Sequence, residues 1–230
     1  ARFDSAILRG IRAQNAILDG VELENLAMEA ADLSGVQADN AQLKGCKLDR
    51  AVFRDAGLRG ANFHGASLVE AVFDGAQCEG ASLSGADLER ASFVRCNLSR
   101  ADLRGSSLIG AVLDGCALSG AQLEKLDFRS PTLGRLSFAG ANLRRAVFNR
   151  CELRSADFRE ANLEGADLRH AMLEGANFAR ANLTEAKLRH ATLKQADLSE
   201  VRASWADISG TNLILVKARR GTFVNTDFRF

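Results

Sequence analysis

One period dominates this chain and leaves few folds open to it. Of the 46 residues at positions 3, 8, 13 and every fifth thereafter, 27 are Leu and 12 are Phe. Ala13, Met28, Ala38, Cys78, Ala203, Ile208 and Ala218 fill the rest. Two residues earlier, at positions 1, 6, 11 and onward, 29 of 46 are Ala, and nearly all the others are small or apolar. Seventeen of the 20 glycines sit at positions divisible by five, among them Gly60, Gly65, Gly75, Gly80 and Gly85. Each unit of five therefore runs small, polar, large apolar, polar, and then glycine or polar. These are called the first to fifth positions below.

Neither regular element can carry such a period on one face. Five residues of α-helix advance by about 500°, so each unit would drift by about 140° and no single stripe could collect the large side chains. An ordinary strand alternates with period two, which sends successive central residues, five apart, to opposite sides of a sheet. The pattern fits a chain that turns a corner every five residues and always points its first and third positions at a common axis.

Segments such as Ala81-Ser82-Leu83-Ser84-Gly85, Ala86-Asp87-Leu88-Glu89-Arg90 and Ala161-Asn162-Leu163-Glu164-Gly165 resemble the A(D/N)LXX unit of pentapeptide repeat proteins. The resemblance covers all 46 units without an insertion. It implies an all-β fold, a right-handed quadrilateral parallel β-helix with four units to the square coil. The 46 units then make about 11–12 coils with no large loop insertion. At the spacing of paired strands the stack would be on the order of 55 Å long. The expectation is a single domain over residues 1–230, read as a piece of a longer protein because it opens on Ala1 and stops in phase with the repeat at both ends.

Twenty residues per coil place residues twenty apart directly above one another. Phe53, Phe73 and Phe93 then form one inward stack, and Phe138, Phe158 and Phe178 another on the neighbouring face. Pro131 cannot donate to an inter-coil ladder, and it sits between Leu126 and Leu136, two large residues in a position that otherwise prefers Ala. A local bulge or kink is expected across residues 126–136.

Thirty basic residues against 29 acidic ones give a net charge of +1. That balance lacks the basic excess of a nucleic-acid binder. No run approaches the roughly 18 apolar residues of a membrane span, and no leader opens the chain. The expected setting is the cytoplasm of a bacterium, or export by a leaderless bacterial system, with neither nucleic acid, membrane nor small-molecule substrate as partner.

Residues that could carry chemistry have ordinary explanations. Cys46, Cys96, Cys116 and Cys151 occupy the small inward position and Cys78 the large one, so they read as packing thiols; Cys96 and Cys116 would stack within the Cα range of a disulfide. His170 and His190 stack on the surface beside Asp167, Arg169, Lys187 and Arg189, but a zinc ion wants three or four ligands. His64 stands alone. No phosphate loop, dinucleotide fingerprint or nucleophile elbow is present, and a solenoid without loops offers no obvious cleft. No catalytic, cofactor-binding or metal-ligating residue is assigned, and the chain is read as no enzyme.

The positive hints are on the surface. Val52, Val72 and Val112 share one face, with Val94 close by, as a weak apolar stripe. Trp205, Ile214, Leu215 and Val224 take outward positions, and Lys217, Arg219 and Arg220 add a basic cluster; together they are the candidate contact for a partner protein or for self-association through an end. Two readings follow. One is a binding or scaffolding surface; Phe93-Val94-Arg95-Cys96-Asn97-Leu98 and Phe148-Asn149-Arg150-Cys151-Glu152-Leu153 look like units in repeat tails of bacterial secretion-associated proteins. The alternative is topoisomerase (gyrase) protection, implied by similarity to quinolone-resistance members that imitate duplex DNA. Such mimicry needs about one negative charge per 1.7 Å of rod. No face of this repeat is acidic, and the dimerising helix expected of such proteins is missing from these 230 residues.

Overall fold

The structure, a computed structural model, describes residues 7–130, 133 and 136–229. The chain folds as a right-handed quadrilateral parallel β-helix. It turns a corner after every five residues, and within each unit the coils pair with those twenty residues later: Ile7 bridges Ala27, Val52 bridges Val72, Gln122 bridges Asn142 and Asp207 bridges Asp227, all in parallel. The coils fall into two compact units. The first comprises Ala1–Ala117 with Ser130–Thr132, and the second Leu118–Arg129 with Leu133–Phe230.

Backbone hydrogen bonding explains both the period and its polar letters. In the unit Ala31–Gly35 the first amide closes the preceding corner on Met28 O at 3.1 Å. The second reaches back one coil to Ile11 O, and the third and fifth reach forward to Val52 O and Arg54 O, each at 2.8 Å. The fourth amide finds no carbonyl. Asp32 Oδ1 accepts it instead, at 3.2 Å. A polar backbone group left without a partner costs free energy, so a short acceptor two residues earlier is worth keeping. Asn62 serves His64 in this way, Asp102 serves Arg104 and Asn177 serves Ala179, each at 3.0 Å. Where the second position holds another residue, a fourth-position Asp one coil earlier can substitute: Asp19 accepts from Asp39, and Asp39 from Arg59, both at 2.8 Å.

The inward first and third positions build the core. Apolar residues there are buried almost without interruption from Leu23 to Ile208, and the buried polar residue Thr211 donates its hydroxyl to Ile208 O at 2.7 Å. In the first unit Phe73 stacks between Phe53 and Phe93 with centroids 4.8 and 4.9 Å away, and meets Phe63 edge-on at 5.8 Å. In the second, Phe158 stacks between Phe138 and Phe178 at 5.1 and 4.9 Å, while Phe128 stacks on Phe148 at 4.6 Å. Each buried ring contributes about 1.5–3 kcal/mol through burial, and aromatic contact adds about 0.5–1.5 kcal/mol.

The corners take a left-handed residue. Described fifth-position residues from Gly10 to Asn225 have φ between +54° and +72°, with Ser130 the exception. The residue before a proline is pushed toward extended backbone. The expected irregularity thus shows at Ser130, while Pro131 lies outside the described residues. Seventeen of these corners are glycine, and 25 carry a side chain despite the cost.

Candidate functional site

The predicted contact residues do not form one patch. Trp205 occupies a corner, and its amide donates to Val224 O at 2.9 Å, so Val224 lies on the next coil beside it. Leu215 occupies the corner two units further on, which is diagonally opposite in a square coil, with Ile214 next to it. All four stay well out in solvent, Trp205 at 64% and Leu215 at 70% exposure. Lys217, Arg219 and Arg220 lie on the side that follows Leu215, where Lys217 O and Arg219 O accept from Leu198 and Glu200. The Asp197 carboxyl is held below its ordinary range, first by the Ser199 hydroxyl and amide and then by the charges of Lys217 and Arg219.

Of the valines, Val52 and Val72 pair directly and Val112 pairs with Ser92, so a serine interrupts the stripe. Val52, Val72, Val94 and Val112 are each half-buried.

The five cysteines are free and buried. Burial drives the Cys151 thiol up to about 11 and raises Cys46. Cys96 is raised well above its usual value, first by the neighbouring Cys116 thiol and then by Cys78. Such groups stay protonated and are poor nucleophiles. Cys46 donates to Leu23 O and Cys151 to Phe128 O.

Sequence reading missed two features of the surface. The first is a recurrent Asp-x-Arg clasp: Arg104, Arg129, Arg159, Arg169 and Arg229 each fold back onto the Asp two residues earlier with two guanidinium nitrogens. In every one the hydrogen bond from the arginine does most to hold the carboxyl below its usual range. The signal was present as D-x-R, but only the register shows that both residues face outward on one straight segment. The second is a recess of about 500 Å³ in the second unit, lined by Arg189, His190, Asp207, Ser209, Gly210 and Arg229. The His170 and His190 rings stack beside it with centroids 5.2 Å apart. His190 packs so closely over Gly210 that a Cβ there would come within 2.5 Å of its Nδ1. No group of three or more His, Cys, Asp or Glu with metal-site geometry exists among the described residues.

Comparison with known families agrees with this geometry. The pentapeptide repeats model matches residues 1–35, 39–75, 161–199 and 176–213, and the pentapeptide repeat region model matches residues 81–158. The chain belongs to the pentapeptide repeat family. Among solved pentapeptide repeat structures it is similar to full-length QnrB1, a plasmid-mediated fluoroquinolone resistance protein, at 20% identity and a TM-score of 0.61. That match covers 90% of this chain and 93% of the other, and at such identity it speaks for the fold alone. HetL, a family member involved in heterocyst differentiation regulation in the cyanobacterium Nostoc sp. strain PCC 7120, is 29% identical with a TM-score of 0.45 over 93% of this chain and 87% of its own. No curated protein matches the sequence.

Proposed function

We propose that this chain is a non-catalytic protein-interaction module whose contacts are made by large apolar side chains held out at rigid corners. The observation that carries the reading is Trp205 and Leu215, with φ of 62° and 58°. A left-handed backbone costs an L-residue about 1–2 kcal/mol, and an indole or isobutyl group left mostly in solvent recovers little of it by folding. Among the 25 non-glycine corners, Ala30 is the one other apolar residue; the rest carry polar or charged side chains. A strained, solvent-facing apolar residue with little folding benefit points to a contact surface. Because the two corners are diagonal, a partner reaching both must wrap the coil, or two partners must bind.

The test compares wild type with Trp205→Asn and Leu215→Asn, since asparagine tolerates the left-handed backbone. Immobilised wild-type chain is expected to retain a partner from its own cell extract that both variants lose, while their melting temperatures do not fall. Retention of the same partner by both variants sinks the assignment. Topoisomerase protection is the less supported reading. The chain carries 30 Lys and Arg against 29 Asp and Glu, far short of the negative charge that a DNA imitation needs. A supercoiling assay with gyrase and a quinolone is expected to show neither protection nor inhibition at micromolar protein.

A further inference from the structure

We propose that the recess at Arg189, Ser209 and Arg229 is an oxyanion site that takes a carboxylate from an acidic segment of a protein partner. The proposal rests on the interaction-module reading and names the chemistry of that partner.

The site arises from two substitutions in a repeated clasp. On this side of the second unit, Asp127-x-Arg129, Asp167-x-Arg169 and Asp227-x-Arg229 each close an Asp-x-Arg pair. At the next level Lys187 takes the place of the aspartate, so Arg189 has no acid within its own unit. Its Nε instead approaches His190 Nε2 at 3.3 Å. One coil further Ser209 takes the place of the arginine, and its amide and hydroxyl both go to Asp207 Oδ1. The absent arginine is the recess. The short side chain of Ser209 and the bare Gly210 form its floor, with Arg189 and Arg229 on the coils to either side.

Two coil spacings separate those arginines along the stack, roughly 9–10 Å at their Cα atoms. Arg189, with no acid in its own unit, can turn into the gap between them, whereas Arg229, held by Asp227 through Nε and Nη2, has its Nη1 left to offer. Guanidinium forks favour planar oxyanions, and charge-assisted bonds to carboxylate or phosphate are the stronger hydrogen bonds available at a surface. Asp207 decides between those ligands. Its carboxylate lies in the recess, so a phosphate dianion meets more repulsion than a singly charged carboxylate. The openness to solvent suits a side chain presented by another protein, and the excess of 18 basic over 13 acidic residues in 118–230 draws an acidic segment toward it.

The test uses the full chain and follows amide NMR shifts during titration with an acetylated, amidated tetraglutamate peptide at low salt. Saturable shifts at Ser209, Gly210 and Arg229 are expected for wild type. Arg189→Glu should weaken binding about tenfold or more, the loss of a charge-assisted pair. Lys194→Glu makes the same charge change on another side of the unit and should weaken it less than about threefold, as a screened charge. Ser209→Arg restores the clasp and fills the recess; it should abolish binding although it adds positive charge. Tighter binding by Ser209→Arg, equal losses in the two glutamate variants, or no saturable shift in wild type up to millimolar peptide would each overturn the site. Inorganic phosphate binding as tightly as the peptide would overturn the choice of carboxylate. If peptide binding fails while capture through Trp205 and Leu215 persists, the interaction module stands and this site does not.

Discussion

The fourth amide of each unit is the smallest fact from which much of the surface follows. It has no carbonyl to bond, so an Asp or Asn two residues earlier becomes useful, and an Arg in the fourth position can then close onto the same carboxylate. Asp102, Asp157 and Asp167 are all held below the ordinary carboxylate range, first by their arginines. The sign of the pH effect follows. A carboxyl with a lower value folded than unfolded stabilises the fold fully above the unfolded value, about 3.9, and that stability is lost as the pH drops through the folded value. Melting temperature is expected to be level from pH 5 to 8 as far as these groups are concerned, and to fall below about pH 4. Asp157→Ala should cost about 0.5–1.5 kcal/mol at pH 7 by taking the acceptor from the Arg159 amide, and the cost should shrink in acid. A cost that stays constant to pH 2.5, read by urea titration, would show that the carboxylate has no such role.

At the scale of the coil, the unit of stability is the column of inward side chains. Phe73 is the clearest member, stacked on both neighbours and edge-on to a third ring, with no exposed surface. Phe73→Ala removes a ring that close-packed walls cannot collapse to replace, and a cost of about 3–5 kcal/mol is expected from denaturant unfolding. Phe73→Leu supplies the residue that most other third positions already use and should cost well under half of that. Equal costs for the two would mean that volume in the column does not matter. The corners obey a separate logic, because all of the described ones but Ser130 are left-handed whether or not they carry a side chain. Glycine takes up that backbone without a Cβ, and Gly210 also leaves the space that the His190 ring fills.

Within each unit the described backbone ladders join a coil to the coils before and after it, the nearest-neighbour arrangement of a solenoid. Damage should therefore stay local. Hydrogen exchange of Phe73→Ala is expected to show lost protection at amides of the adjoining coils, such as Phe53 and Phe93, while Leu168 and Leu188 in the second unit keep theirs. Uniform loss over both units would mean that the chain unfolds as one cooperative block. Charge is distributed between the units rather than around the faces: residues 1–117 hold 12 Lys and Arg against 16 Asp and Glu, and residues 118–230 hold 18 against 13. Totals taken face by face conceal this, because the bias runs with chain position.

The sequence alone determined the corner at each fifth residue and the inward column, because a strict five-residue period with Leu or Phe at its centre admits almost no other way to bury those side chains; the square coil and its phenylalanine stacks came through the resemblance to pentapeptide repeats. The sequence also placed all five cysteines in the core. Contacts between outward residues were decided by the tertiary structure, since these depend on which of two nearby partners a long side chain chooses. Arg189 turning to His190 while Arg169 clasps Asp167 is one such choice. Trp205 and Leu215 stand ten residues apart and looked like neighbours; two square corners put them on opposite edges. Period governs what must be buried, whereas the surface is settled by register, reach and the corners between.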